Sequence, residues 1–142
     1  KGVLSVEKKL FVETNNGTNR QIRPVTPEQP LRIGDKVIVR LTIRTDREMN
    51  YVFLKDLRAG CFEPADQLSG PESRDGIWYY RSPKDVSENF FINRLPEGTF
   101  VLEYPVYVSR SGEYAGGIST IQCMYAPAFV SHTAGESLRI MP

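Results

Sequence analysis

Lys36-Val37-Ile38-Val39-Arg40-Leu41-Thr42-Ile43-Arg44 alternates with a period of two: Val37, Val39, Leu41 and Ile43 fall on one face, and Lys36, Arg40, Thr42 and Arg44 on the other. Successive side chains of an extended chain point to opposite sides, so this spacing predicts a half-buried β-strand. Ile38 is the one apolar residue on the outward side and reads as a solitary exposed aliphatic. The pattern recurs over Gly98 to Arg110, with Phe100, Leu102, Tyr104, Val106 and Val108 on one face and Val101, Glu103, Pro105, Tyr107 and Ser109 opposite. Proline cannot donate to a β-ladder, so Pro105 marks an edge position or a bulge.

Working outward, Val3 to Val12 reads as a further strand, and Asn15-Asn16-Gly17 has the residue types of a tight turn with positive φ, leading into a hairpin or a loop. Pro24, Pro27 and Pro30 remove three amide donors and mark a connector within the domain. Met49 to Leu57 is apolar on both faces, as expected of a strand between two layers or under a loop. Residues 59–76 hold no sustained period and read as a long loop with room for one helical turn at Pro64 to Gln67. Ile77 to Tyr80 and Asn89 to Asn93 are aromatic-rich strands, and Ile118 to Tyr125 and Glu136 to Met141 complete the set. Short strands punctuated by Gly and Pro, with no amphipathic helix and no repeat, predict an all-β antiparallel β-sandwich. The chain of 142 residues is one domain's worth.

Composition excludes several functions. The formal charge is +1, with ten Lys/Arg against six Asp/Glu in residues 1–50 and eight against eleven in the remainder. Neither part has the basic concentration that phosphate neutralisation requires, so no nucleic-acid partner is expected. No apolar run reaches the about 18 residues that span a bilayer, and no direct membrane insertion is expected. With no basic, apolar leader ahead of the first strand, the chain reads either as exported under a signal since removed or as part of a larger protein. Cys61 and Cys123 are too few for a disulfide framework or a four-ligand zinc site, leaving one bridge or two buried thiols. No cofactor is expected.

Several features invite sharper readings. His132, beside Ser131, formally permits a hydrolase triad, but no Gly-x-Ser-x-Gly elbow accompanies it, and a solvated loop histidine is the plainer reading. Asp66, Glu72 and Asp75 could offer oxygens to calcium, but their spacing matches no EF-hand. Lys36, Arg40 and Arg44 form an outward basic row, either a dock for an acidic partner or a solvated strand face. Trp78, Tyr79, Tyr80, Phe90 and Phe91 read either as a sugar-stacking platform or as core and cross-strand pairs. Asn16-Gly17-Thr18 fits a glycosylation acceptor and a plain turn alike.

The order of pieces is itself informative. Gly34-Asp35-Lys36-Val37 is followed by Met49-Asn50-Tyr51-Val52-Phe53-Leu54-Lys55-Asp56, then Arg58-Ala59-Gly60-Cys61-Phe62-Glu63-Pro64 and Tyr79-Tyr80. Asn89-Phe90-Phe91, Leu95 to Tyr104 and Ile121-Gln122-Cys123-Met124-Tyr125-Ala126-Pro127 come after. Together, over about two-thirds of the chain, they resemble the C-terminal, receptor-binding-type domain of bacterial, Bacteroides-type alpha-2-macroglobulin-like proteins. The resemblance implies a macroglobulin β-sandwich that is not an enzyme. It also implies a parent that traps endopeptidases by collapse, in the periplasm or outer cell envelope. The implied partners are other domains of the parent chain and, through the parent, target peptidases. The family's thioester motif, Cys-x-x-Gln, is absent, since Pro64 and Ala126 stand three residues after Cys61 and Cys123. The candidate interaction loop is Cys61, Phe62, Glu63, Pro64, Asp66 and Gln67; the candidate core or interdomain anchors are Trp78, Tyr104, Met124 and Tyr125. The alternative is an independent carbohydrate- or protein-binding sandwich of the cell envelope.

Overall fold

The computed structural model describes residues 3–17, 19–65 and 69–142. One sheet runs in the order β2 (Asn19–Pro24), β1 (Leu4–Asn16), β4 (Lys36–Thr45), β10 (Gly98–Val108) and β6 (Phe62–Pro64). A second runs β13 (Ala126–His132), β12 (Ser119–Cys123), β5 (Met49–Leu57), β9 (Ser87–Leu95), β8 (Ile77–Pro83) and β7 (Gly70–Arg74). Three short strands, β11 (Gly112–Ala115), β14 (Ser137–Met141) and β3 (Leu31–Arg32), form a third, with β14 and β3 parallel. All other pairings are antiparallel, and no helix occurs among the described residues.

The two periodic stretches are the centre of the first sheet, β4 pairing with β10 from Thr45–Gly98 to Lys36–Tyr107. Val37, Val39, Leu41 and Ile43 of β4 and Leu102, Tyr104 and Val106 of β10 are buried in one core with Val52 and Leu54 of β5, Phe90 and Ile92 of β9, and Ile121 of β12. Apolar burial on this pattern supplies the main drive for two sheets to stack. Ile38 is buried rather than exposed: it lies between Phe11 and Pro105 in register, and these neighbours cover it on the outer face. Ala65 N–H donates to the Pro105 carbonyl at 3.4 Å, while β6 ends at Pro64 opposite Val106. Pro105 therefore sits where β10 has become an edge on that side, the position that tolerates a missing donor.

Elsewhere the structure corrects the sequence reading. Met49 to Leu57 is not apolar on both faces: Met49 is buried, and from Tyr51 onward the strand alternates, with Val52, Leu54 and Asp56 buried and Tyr51, Lys55 and Leu57 exposed. Residues 59–76 are not one loop: Phe62–Pro64 joins the first sheet as β6, and β7 pairs with β8 through a hairpin at Asp75-Gly76, both with positive φ (57° and 86°). Pro64 ends a strand rather than starting a helical turn; Asp66 and Gln67, like Thr18, lie outside the described residues. His132 is in β13, paired with Thr120, rather than in a loop. The cysteines are buried free thiols, Cys61 just before β6 and Cys123 at the end of β12 in the other sheet.

Candidate functional site

Two fully buried carboxylates face each other across β5 and β9, where Asp56 and Glu88 are register partners. Like charges so placed repel in a medium that screens poorly, so each requires its own donors. Lys8 Nζ on β1 lies 2.7 Å from Asp56 Oδ1, and Ser119 Oγ on β12 donates to the same oxygen at 2.7 Å. Tyr104 OH on β10 donates to the other oxygen. Glu88 accepts from Arg58 at 2.9 Å and from Arg81 on β8. Arg81 also lies over the Tyr104 ring, 5.7 Å from its centroid, joining the two halves of the cluster. Burial raises the Glu88 carboxyl, with Arg81 and then Arg58 opposing the rise. Burial also pushes the Tyr104 phenol well above its usual value, reinforced by Asp56.

This cluster is a clasp. Lys8 and Tyr104 belong to the first sheet and Asp56, Glu88, Arg81 and Ser119 to the second, so its charge-assisted bonds fix how the sheets meet. The Ser119 hydroxyl donates its hydrogen bond to a carboxylate in the buried interior, whereas His132 is exposed. No group of three metal-ligating side chains is found among the described residues.

The outer faces differ. On the first sheet, Lys36 pairs with Glu13 at 3.3 Å and Arg40 with Glu103 at 2.6 Å, so two members of the basic row are neutralised and only Arg44 has no ion pair among the described residues. On the second sheet a row of outward residues crosses all six strands in register, Pro71, Tyr80, Phe91, Phe53, Gln122 and Val130, and it is apolar on every strand but β12, where Gln122 stands. Tyr80, Phe91 and Val130 are exposed by nearly half. Phe53 and Phe91 stack at 4.8 Å and 24°.

The sequence-derived candidates scatter across this frame. Tyr104 is in the clasp, while Trp78 (71% exposed) lies on β8 near the apolar row. Met124 and Tyr125 form the exposed β12–β13 turn, where Tyr125 meets Tyr51 edge-on at 4.9 Å. Cys61 and Phe62 are buried and Pro64 half-buried, leaving Glu63 exposed among the described loop residues. Of the calcium candidates, Glu72 lies in β7 near Arg81 at 3.5 Å, and Asp75 accepts from Val101 N–H at 2.9 Å across to β10. Asp56, Glu88 and Arg81 escaped sequence reading. Their signal was parity: each shares its strand's inward face with Val52 and Leu54, with Phe90 and Ile92, or with Ile77 and Tyr79.

Residues 4–128 match the family described as the bacterial alpha-2-macroglobulin MG10 domain. Salmonella alpha-2-macroglobulin reacted with methylamine has a similar fold, with a TM-score of 0.76 at 21% identity over 99% of this chain and 9% of that one. Escherichia coli alpha-2-macroglobulin activated by porcine elastase gives 0.76 at 18%, covering 100% and 13%. A Dictyostelium discoideum protein named circularly permutated Ras protein 2 is 28% identical over 109 residues, 77% of this chain and 3% of that protein. The chain thus spans a small fraction of each relative's length.

Proposed function

Because the chain belongs to the bacterial alpha-2-macroglobulin MG10 domain family, we propose that it is a non-catalytic packing domain of a peptidase inhibitor of that kind. In this reading it is the C-terminal domain of a Bacteroides-type protein in the periplasm or outer cell envelope. It meets target peptidases only through its parent, and its direct partners are other domains of that chain. The observation that carries the reading is the apolar row on the second sheet, exposed although the domain's own core is complete. An exposed apolar band of this kind marks an interaction surface.

The test is Tyr80→Ser with Phe91→Ser in the full-length protein, assayed by protection of a trapped endopeptidase from a large inhibitor. Trapping should fall at least several-fold, while the stability of the 142-residue chain changes by under about 1 kcal/mol, as exposed positions allow. Undiminished trapping, or inhibition of endopeptidases by the isolated chain, overturns the reading.

A second reading, an independent protein-binding module, is favoured by the match to circularly permutated Ras protein 2, which places a similar stretch in a differently named protein. A sugar platform is less well supported, since Phe53 and Phe91 occupy one another's faces. Saturable quenching of Trp78 fluorescence by oligosaccharides would reinstate it.

A further inference from the structure

Between the first and third sheets lies a groove of about 870 Å³, lined by residues 7–11 of β1 on one wall and by Ser137, Leu138 and Arg139 of β14 on the other. Five consecutive strand residues can line one groove only along the strand's edge, because alternate side chains leave from opposite faces. That edge is open: β2 pairs with β1 only from Phe11 onward, and β3 pairs with β14 only at Ile140 and Met141.

The direction of the free main-chain groups follows from two bonds. Leu10 C=O accepts from Val25 N–H at 3.2 Å, so by the two-residue period Lys8 and Val6 turn their N–H and C=O to the same side, away from β4. Met141 C=O accepts from Ile33 N–H at 3.2 Å, so Arg139 and Ser137 turn theirs toward the side β3 leaves open. Two rows of strand donors and acceptors therefore open onto the same groove.

Its size suits one occupant. Five strand residues span about 17 Å, leaving a cross-section of about 50 Å², close to the ~4.8 Å by ~10 Å that one extended strand occupies. Its charges suit an uncharged main chain rather than an ion. The Lys8 ammonium is already held by Asp56 and by the Leu57 and Gly117 carbonyls, while Lys9 and Arg139 share the lining with Glu7, Glu113 and Glu136.

We propose that this groove takes an extended polypeptide segment of about five residues, added as a strand between β1 and β14 and supplied by another domain of the same parent chain. The source rests on the packing-domain reading. Strand addition draws its affinity from main-chain hydrogen bonds and its selectivity from alternate side chains, here apolar ones toward Leu10, Leu31 and Leu138. Tethering in one chain raises the effective concentration, so a short pairing suffices.

The probe is a linear peptide selected from a random dodecapeptide phage library on the 142-residue chain. Binding should shift the amides of Lys8, Ser137 and Arg139, and N-methylation of alternate peptide amides should weaken it at least tenfold. Ser137→Pro, which removes a groove-side donor at the start of β14, should weaken it without moving the melting temperature by more than a few degrees. Peptides that shift only the Tyr80–Phe91 face, or tolerate N-methylation, overturn the groove. In the full-length protein the Lys8 and Arg139 amides should be protected from exchange relative to the isolated chain. Equal exchange in both overturns the intramolecular source while leaving the packing reading to its own trapping assay.

Discussion

Replacing Asp56 by Asn would remove the negative charge on which Lys8, Tyr104 and Ser119 converge. The amide keeps one acceptor oxygen but turns the other position into a donor, so two donors meet where a bond was. Lys8, only 13% exposed, also loses its counter-ion. Breaking a buried pair from one side costs about 3–5 kcal/mol, against the 5–15 kcal/mol that a typical domain has in total. For a chain of this size that lowers the melting temperature by about 10–20 °C. Urea denaturation followed by far-UV circular dichroism and Trp78 fluorescence measures the loss, and coincident curves establish two-state behaviour. Lys8→Met alone should also destabilise, but Lys8→Met with Asp56→Asn should cost at least 1 kcal/mol less than the two singles added, because the stranded charge is gone. Strict additivity, or a loss under about 1 kcal/mol for Asp56→Asn, would refute the clasp.

Gly117→Ala should destabilise by about 3 kcal/mol or more, because its new Cβ would collide with the rigid Leu57 carbonyl; Gly70→Ala, whose Cβ meets nothing within 4 Å, should cost under about 1 kcal/mol in the same melts. Tyr79 is held up to about 12 by burial and then by Glu72, and burial, then Asp56, also raises Tyr104 well above the ordinary phenol value of about 10. The folded state thus keeps protons that the unfolded chain releases, and stability should fall as pH rises from about 10 toward 12. Titration at 295 nm should show both phenols lagging until unfolding, and their full ionisation by pH 11 in the folded chain would contradict this. Both thiols should resist alkylation while the chain is folded and react together in denaturant, since burial raises the Cys61 thiol and shields it; fast labelling of the native chain would argue otherwise.

The alternation in β4 and β10 was legible because those strands bury one face and wet the other, and the sandwich followed from them. Strand β5 was harder to read. Phe53 and Leu57 make its outer face apolar, which masks the period, and the positive φ of Tyr51 (59°) interrupts the β5–β9 register between Asn50 and Val52. The β7–β8 hairpin was hidden because Gly-Pro-Glu-Ser-Arg lacks strand formers; only the Asp75-Gly76 pair announced it. The aromatic strands were recognised, but which ring would be buried depended on pairing, which placed Phe90 inside and Phe91 outside. The clasp was invisible residue by residue, because a charge on an inward parity has meaning only once the opposing strand is known.

Lys8 reaches Asp56 across 48 positions of sequence and the Gly117 carbonyl across 109. No local folding event can bring these groups together, so the ammonium loses its water only after both sheets have formed and met. Chains dominated by such distant pairings fold in about milliseconds to seconds. A contact made that late acts mainly on how slowly the assembled domain comes apart. The clasp is therefore a latch against opening, and its loss should speed unfolding more than it slows folding.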